Sequence, residues 1–470
     1  MTSGFNFWDG EIWSFIVTMA LLFGAMLLAN MLRRKIRFLR RSLIPSAVLG
    51  GFLVLILDSV YKKFAGVSMF SLSTLEALTY HGLGLGFIAL AWRHLDGVKG
   101  KKARRDVFNT STVTVGGYLV QAIIGLLITL LLSYVLGSFA AGGLLLPMGY
   151  GQGPGQAFNW GTNYQNLYGF TNGSSFGLTV AAMGFVSACV GGVYYLNKMR
   201  LSGDKRTQID NAEEIEDLSA EHITGSGEIP LSESMDKLTV QFGLVFLTYL
   251  AAYFSMWLLF HFLLEPAGGF LMNTVNPLLW GFNFLVGTAW AIFFKSVGNK
   301  LRSIGVITRV YTNNFMLNRI SGLMFDIMVV ASIAAIDLSA FRHREFWLPL
   351  LLICVAGALI TYFYVYRICR HLFPDYSDEM FLAMYGMLTG TASTGIILLR
   401  EIDPLYRTPA SHNIIYQNLW SIVLGAPMLL MMGFAARNRF MAWVCFGICI
   451  ALFAFILILQ FRDTLFRKKS

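Results

Sequence analysis

The chain has 470 residues, of which 56% are apolar and only 13% are charged, and its formal net charge is +10 at pH 7. Soluble domains carry about twice that share of charged residues, so the composition excludes an ordinary soluble protein. The positive charge does not indicate nucleic acid binding, because lysine and arginine lie in short loops between apolar segments, where they set membrane orientation.

Eleven apolar segments predict transmembrane helices, each long enough to cross a hydrocarbon core of about 30 Å. Two further segments, 139–163 and 381–400, combine apolar residues with glycines and polar residues. The predicted spans are 12–32, 43–61, 72–92, 112–136, 175–197, 238–263, 275–296, 318–340, 346–368, 411–435 and 440–461.

The lysine and arginine residues predict how these spans are oriented. With the N-terminus outside, thirty of the 36 basic residues fall on the inside and six on the outside. This bias follows the positive-inside rule, provided that segments 139–163 and 381–400 each return to the side from which they enter. We therefore predict an outside N-terminus, with a cytoplasmic central linker and C-terminus.

A polar stretch, 199–237, separates five predicted spans from six. It is acidic, serine-rich and free of aromatic residues, which is typical of an exposed linker. Because five is an odd number, the second half starts on the opposite side of the membrane. The halves 1–198 and 238–438 are therefore predicted to be inverted repeats, a device of secondary transporters, with residues 439–470 as an extra span and basic tail.

The first interruption, from Pro147 to Thr162, contains five glycines. A regular lipid-facing helix is excluded, because glycine and proline disturb the helical hydrogen bonds and unpaired backbone groups are costly in hydrocarbon. We predict a re-entrant hairpin within 139–163 that is buried in protein or lines a cavity. An ordinary outside loop is the alternative.

The second interruption, from Met384 to Ile396, carries four Ser or Thr hydroxyls and three glycines without a charge. Hydroxyl and carbonyl oxygens suit sodium, and backbone N–H groups at a helix start favour an anion. A second re-entrant hairpin, within 381–400, is predicted, with a packing helix of small residues as the alternative. Because the two segments occupy equivalent places in inverted halves, their tips are expected to meet near the midplane.

Other polar residues inside the predicted spans are weaker candidates. Asp326 lies about two turns into its span, where a charge is costly, and predicts a cation or proton site; an arginine partner or a water-filled crevice is the alternative. His81 is interpreted as a packing residue, and Asp58 and Asp337 as interfacial. The cysteines are interpreted as small buried hydrophobic residues: Cys189, Cys354, Cys369, Cys445 and Cys449.

The stretch Arg40 to Gly51, RRSLIPSAVLGG, resembles the basic run and I-P-x-x-V-x-G-G pattern of the bacterial sodium/glutamate symporter family. The glycine-rich stretch 149–160, the sequence YGFTN at 168–172 and the hairpin 385–395 also resemble that family, in the same order. The resemblance implies an all-α polytopic membrane protein of the inner membrane, with two inverted five-helix repeats that each contain a re-entrant hairpin. It also implies a homodimer in which a transport domain moves against a dimerisation scaffold.

The resemblance places the substrate and ion sites on the two hairpins. Two motifs differ: the family has a G-G-H-G-T-G-like core where this chain reads GYGQGPG at 149–155, and a G-x-T-P-T-A-like run where it reads TGTAST at 389–394. Asp326 also stands where an uncharged residue is expected. The substrate candidates are Gly151, Gln152, Gly153, Gly155, Gln156, Asn159, Thr391, Ala392 and Ser393, and the sodium candidates are Thr389, Thr391, Thr394 and Asp326.

We therefore predict a sodium-coupled secondary transporter that imports glutamate or a related small carboxylate by elevator-type alternating access. An ion or solute channel built from paired hairpins is the alternative. An enzyme is not expected, because the predicted spans show no arrangement of catalytic residues, and no G-x-x-x-x-G-K loop indicates an ATP-driven pump. The expected partners are the substrate, sodium as the coupling ion and the lipid bilayer, with neither a cofactor nor nucleic acid.

Overall fold

The computed structural model describes residues 10–94, 100–202, 236–267, 272, 275–404 and 407–465. These residues are mostly helical, and no β-strand occurs among them, which agrees with the predicted all-α fold. Most of the predicted linker, 203–235, lies outside the described residues, as do the start of the chain and the end of its basic tail.

The helices of the first half match the predicted spans, although the helix at the predicted span 112–136 begins eleven residues early, at Lys101. Pro45 lies just before the helix Ser46–Ala65 and costs it no hydrogen bond, because the first N–H groups of a helix have no intrahelical partner. The helices are α1 (Gly10–Lys35), α2 (Arg37–Arg41), α3 (Ser46–Ala65), α4 (Leu72–Trp92), α5 (Lys101–Val135), α6 (Leu145–Gly151), α7 (Pro154–Tyr168) and α8 (Gly173–Leu201), with a 3₁₀ turn at Ala140–Leu144.

The second half contains eleven α-helices among the described residues. Asp236 caps its first helix by accepting hydrogen bonds from the backbone N–H groups of Leu238 and Thr239, at 3.0 and 3.2 Å. The helices are α9 (Lys237–Leu259), α10 (Glu265–Ala267), α11 (Asn276–Gly281), α12 (Asn283–Ser303), α13 (Asn314–Ala334), α14 (Arg344–Leu372), α15 (Ser377–Thr389), α16 (Ala392–Arg400), α17 (Ala410–Tyr416), α18 (Asn418–Ala435) and α19 (Arg439–Leu465).

Fewer helices qualify as membrane spans than the eleven that were predicted. Among the described residues, seven helices are long and apolar enough to cross a bilayer, and the bent pair α17–α18 would be an eighth. The helices α3, α4 and α12 do not qualify; α3 carries Lys62 and Lys63 in its last turn, and α12 carries Lys300 and Arg302. Crossings by these three helices stay a prediction.

The chain forms two compact units that cut across the predicted halves. The hairpin unit comprises Met1–Leu75, Val98–Ile209 and Val330–Ser470, and the second unit comprises Glu76–Gly97 and Asp210–Val329. The second unit packs α4, α9, α12 and α13 around a small apolar core that includes Ile88, Val245 and Leu317. The division of the chain into inverted repeats stays a prediction.

Within the hairpin unit, helix ends that were predicted on one side of the membrane lie together. Lys102 at the start of α5 forms a 2.8 Å ion pair with Asp375, just after α14. At the other end of α5, Arg439 at the start of α19 donates to the carbonyl oxygen of Ser133 at 2.8 Å. Helix α5 therefore runs antiparallel to both α14 and α19, as the charge pattern requires.

The structure shows the surroundings of the residues that were interpreted as structural, and the interfacial position of Asp58 and Asp337 stays a prediction. All five cysteines are buried and have free thiols. Asp58 accepts a hydrogen bond from the backbone N–H of Met69 at 2.6 Å, and Asp337 accepts one from that of Ser339 at 2.9 Å. His81 pairs with the hydroxyl of Tyr249 at 2.8 Å and has an exposed ring, so hydrogen bonding rather than close packing satisfies it.

Candidate functional site

The first hairpin consists of α6 and α7, joined at Gln152 and Gly153. Gly153 has φ +87° and ψ −179°, a backbone region open essentially only to glycine. Pro154 follows as the first residue of α7, where its fixed φ suits a helix start. The Gly-Pro pair at 153–154 therefore determines the turn between the two helices.

This hairpin is enclosed by protein rather than exposed as a loop. Every residue of α6 is buried, and so is every residue of α7 from Pro154 to Gly161. This burial is what an irregular backbone at membrane depth would require, because such backbone must be buried in protein or line a cavity. The depth of the hairpin in the membrane stays a prediction.

The second hairpin consists of α15 and α16, which fold back on each other at Gly390 and Thr391. A Cβ atom added to Gly386 would lie 2.7 Å from the Cα of Gly395, so the two helices touch through glycine. Thr391 has extended backbone geometry, and its hydroxyl accepts from the N–H of Thr394 at 3.4 Å. The helix is interrupted at this point, and the re-entrant course of the segment stays a prediction.

The tips of the two hairpins meet. A Cβ atom on Gly153 would lie 3.4 Å from Cγ2 of Thr391 and 3.9 Å from the carbonyl oxygen of Gly390. Both tips belong to the hairpin unit. The structure thus brings together two segments that are more than 230 residues apart in the sequence.

Two helix N-termini face this contact, because α7 starts just after Gly153 and α16 just after Thr391. The first-turn N–H groups of a helix have no intrahelical acceptor and carry partial positive charge. Ala392 and Ser393 are exposed, whereas Gly155 is buried. An anion could therefore reach the N-terminus of α16 from the protein surface, but it could reach the N-terminus of α7 only at the hairpin tip.

The substrate candidates divide into an accessible group and a buried group. Gln152 and Thr391 are half-buried beside the exposed residues Ala392 and Ser393. Gln156 and Asn159 are almost fully buried on α7, with exposures of 1% and 6%. The two buried amides therefore lie inside the hairpin packing, and a substrate could reach them only if the hairpins moved.

The sodium candidates do not all lie together. The hydroxyls of Thr391 and Thr394 are 3.3 Å apart at the start of α16. The buried hydroxyl of Thr389 donates to the carbonyl oxygen of Tyr385 at 2.7 Å. Asp326 is exposed on α13 in the second unit, and it has no ion pair within the described residues of that unit. In the described part of the chain, no cluster of His, Cys, Asp and Glu could hold a metal ion.

Helix α5 holds both hairpins just before their breaks. The hydroxyl of Tyr118 donates to the carbonyl oxygen of Gly151, the last residue of α6, at 3.2 Å. One turn further along, Gln121 donates to the carbonyl oxygen of Leu388 at 2.8 Å. The last carbonyls of a helix lack intrahelical partners, so α5 satisfies one such carbonyl in each hairpin.

Two buried tyrosines attach the hairpins to α8. The hydroxyl of Tyr150 lies 2.9 Å from the hydroxyl of Ser187 and also donates to the carbonyl oxygen of Cys354 at 2.8 Å. The hydroxyl of Tyr385 donates to the carbonyl oxygen of Ser187 at 3.1 Å. Both hairpins are therefore fixed to the same residue of α8.

The sequence analysis did not single out these supporting residues. A signal was present, because Tyr118 and Gln121 are polar residues three positions apart in the predicted span 112–136. Polar residues within a span usually face protein or water rather than lipid. The spacing alone names no partner, so only the packing shows that they hold the hairpins.

Two cavities are formed by described residues outside the hairpin tips. A cavity of about 340 Å³ is lined mainly by apolar residues such as Phe52, Met183 and Trp347. Another, of about 540 Å³, is lined by arginine and aromatic residues. Neither cavity is lined by a residue of the two tips.

Sequence comparison identifies the kind of protein to which the chain is similar. A family model described as sodium/glutamate symporter matches residues 12–267, which is more than half of the chain. The match contains the first hairpin and ends before the second. No curated protein matches the chain.

Proposed function

The chain belongs to the sodium/glutamate symporter family, and we propose on this premise that it imports glutamate or a related small carboxylate in symport with sodium. This family is one of transporters, which is not an enzyme class, and the apolar helices make the chain a multi-pass membrane protein. The observation that carries the proposal is the contact between the hairpin tips at Gly153 and Thr391. The bacterial inner membrane and the cytoplasmic C-terminus belong to the same proposal.

The substrate carboxylate binds at the helix starts of the hairpin tips. Residues 139–168 and 377–399 contain neither lysine nor arginine, so uncharged donors must hold the anion. Backbone N–H groups at the starts of α7 and α16 are suited to this role, and the exposed Ser393 and the half-buried Gln152 add side-chain donors. Gln156 and Asn159 join the site when the hairpins separate.

Sodium binds beside the carboxylate and offsets its charge. The hydroxyls of Thr391 and Thr394 provide two adjacent hard oxygen ligands, and the hydroxyl of Thr389 and backbone carbonyls at the break could add others. Asp326 is proposed separately as a cation or proton site of the second unit. Coupling arises if sodium has different affinity in the outward-facing and inward-facing states.

Alternating access rests on the inverted repeat that we propose for the two halves. Apart from the short helices α2, α10 and α11, each half runs through three helices, a fourth long helix and a hairpin, and it closes with α8 in the first half and with α17 and α18 in the second. Equivalent elements also pair with each other: α5 packs against α14 in the hairpin unit, and in the second unit Gly82 of α4 lies against Met328 of α13. Such self-pairing is expected around a two-fold axis. We extend the proposal to elevator-type movement in a homodimer.

Uptake into proteoliposomes tests this function. We expect purified protein to accumulate labelled glutamate, or another small carboxylate, under an inward sodium gradient and not under an equal potassium gradient. Ser393→Ala at the tip should reduce uptake, whereas Ser303→Ala, an exposed serine at the end of α12, should not. Failure to accumulate any carboxylate under a sodium gradient would refute the proposal, and single-channel currents would favour the channel alternative.

A further inference from the structure

The cavity of about 540 Å³ lies between the start of α5, the junction of α17 and α18, and the end of α19, all in the hairpin unit. Among the described residues that line it, three are arginines, three are aromatic and none is acidic. The lining residues are Arg104, Arg105, Val107, Phe108, Tyr416, Trp420 and Arg462.

We propose that this cavity binds the phosphate-bearing headgroup of an anionic phospholipid. Basic pockets between transmembrane helices at the cytoplasmic side recognise such headgroups, and the charge pattern predicts that Arg104, Arg105 and Arg462 lie on that side. Guanidinium groups pair with phosphate through two parallel hydrogen bonds. The inference concerns a surface remote from the hairpin tips and does not depend on which substrate is carried.

The position of the basic residues supports an anionic ligand. Lys101, Lys102, Arg104 and Arg105 all lie in the first turns of α5, which contain no acidic residue before Asp106. Cations are unfavourable at a helix N-terminus, which is itself partly positive. Asp375 offsets one of these charges, because it forms a 2.8 Å ion pair with Lys102. The carboxylate of Asp106 is buried and accepts from the hydroxyl of Tyr376 at 2.8 Å. A phosphate in the cavity would bind beside Arg104 and Arg105, which line it.

Aromatic contacts shape one wall of the cavity. The guanidinium of Arg462 lies 5.3 Å from the ring centroid of Phe108, within cation–π range. The ring of Phe108 in turn meets Trp420 edge to face, with centroids 5.5 Å apart. Trp420 is 46% exposed, and tryptophan is enriched where a polar headgroup region meets the apolar membrane.

Two exposed apolar stripes lead away from this cavity and favour a lipid over a soluble phosphate. On α18, Trp420 is followed on the same helix face by Val423, Pro427 and Leu430, all exposed. On α19, exposed residues at the same helical spacing end at Arg462: Val444, Ile448, Ala451, Phe455 and Ile458. Acyl chains could follow these stripes while the headgroup occupies the cavity.

Native mass spectrometry of the detergent-purified full chain tests the proposal, with dioleoylphosphatidylglycerol and dioleoylphosphatidylcholine as probes. We expect retention of phosphatidylglycerol over phosphatidylcholine. The triple variant R104Q/R105Q/R462Q should bind phosphatidylglycerol about a hundredfold more weakly, because each basic residue near an anionic headgroup contributes roughly fivefold. R462Q alone, the milder change, should lose about fivefold.

A matched control separates this site from general positive charge. The variant R34Q/K35Q/R37Q also removes three exposed basic residues predicted to be cytoplasmic, outside the cavity, and should keep wild-type lipid binding. Inorganic phosphate should not raise the melting temperature as phosphatidylglycerol does. Equal retention of phosphatidylcholine, equal stabilisation by inorganic phosphate, or undiminished binding by R462Q and the triple variant would each overturn the proposal.

Discussion

The side-chain amide of Gln121 donates a hydrogen bond to the carbonyl oxygen of Leu388 at 2.8 Å, two residues before the break in the second hairpin. The same nitrogen donates to the hydroxyl of Thr361 at 2.9 Å, and Gln121 is fully buried. One side chain of α5 therefore joins α14 to the hairpin. Among the described hydrogen bonds, no other joins the last turn of α15 to α5.

Replacing Gln121 by leucine should weaken both stability and transport. The change leaves the carbonyl oxygen of Leu388 buried without its donor, which costs about 1–3 kcal/mol. We expect a lower melting temperature and a higher KM for the carboxylate in sodium-driven uptake, because the end of α15, which leads into the hairpin tip, shifts. Uptake kinetics in proteoliposomes and a thermal melt provide the two measurements.

Gln241 offers a matched control for that change. It is also a buried glutamine, and its amide donates to the carbonyl oxygen of Tyr311 at 2.6 Å in the second unit. Gln241→Leu should lower the melting temperature by a similar amount without the same rise in KM. Equal KM values for the two variants would contradict a positioning role for Gln121.

Gly153→Ala should impair transport at the tip of the first hairpin. An alanine in this backbone region costs about 1–3 kcal/mol, and its methyl group would lie in van der Waals contact with Thr391. Gly100→Ala is the control, because Gly100 has φ +95° and ψ 150° with open space around its Cβ position. We expect similar losses in melting temperature for the two variants but reduced uptake only for Gly153→Ala. Unchanged uptake by Gly153→Ala would contradict a role of the hairpin tip in the transport site.

Gly386→Ala should separate the helices of the second hairpin. The added methyl group would lie 2.7 Å from the Cα of Gly395, and such overpacking costs about 1–3 kcal/mol. Gly447→Ala on α19 has open space at the corresponding position and should leave stability and uptake unchanged. The melting temperature and the uptake rate of each variant are compared; equal effects would show that the close glycine contact is dispensable.

Asp326→Asn tests the cation or proton site proposed on α13. Loss of the carboxylate should weaken the dependence of uptake on the sodium gradient, and it should raise stability because a charge within a membrane helix is costly. Asp337→Asn removes a charge that caps a turn outside the helices, and it should leave the sodium dependence intact. Titration of uptake against sodium concentration distinguishes them, and identical curves for wild type and Asp326→Asn would count against the site.

Much of the architecture could be predicted from local properties of the sequence. Apolar length located a helix at each predicted span, and the glycines of 147–162 and 386–395 marked the two breaks. These predictions succeed because backbone satisfaction and helix breaking are local effects. More spans were predicted than hydropathy supports, because α3, α4 and α12 were counted by apolar length, and α3 and α12 carry basic residues in their last turns.

The sequence by itself determined that the chain is a polytopic helical membrane protein with two interrupted segments, since hydrophobic length and glycine content act along the chain. Only the tertiary structure decided which side chains support those segments, because Tyr118, Gln121 and Tyr150 bond to partners 33 to 267 residues away. It also decided that Arg462 shares a cavity with Arg104 and that Asp326 belongs to a different unit from the hairpins. Side-chain contacts of this kind depend on helix packing, which no local pattern specifies.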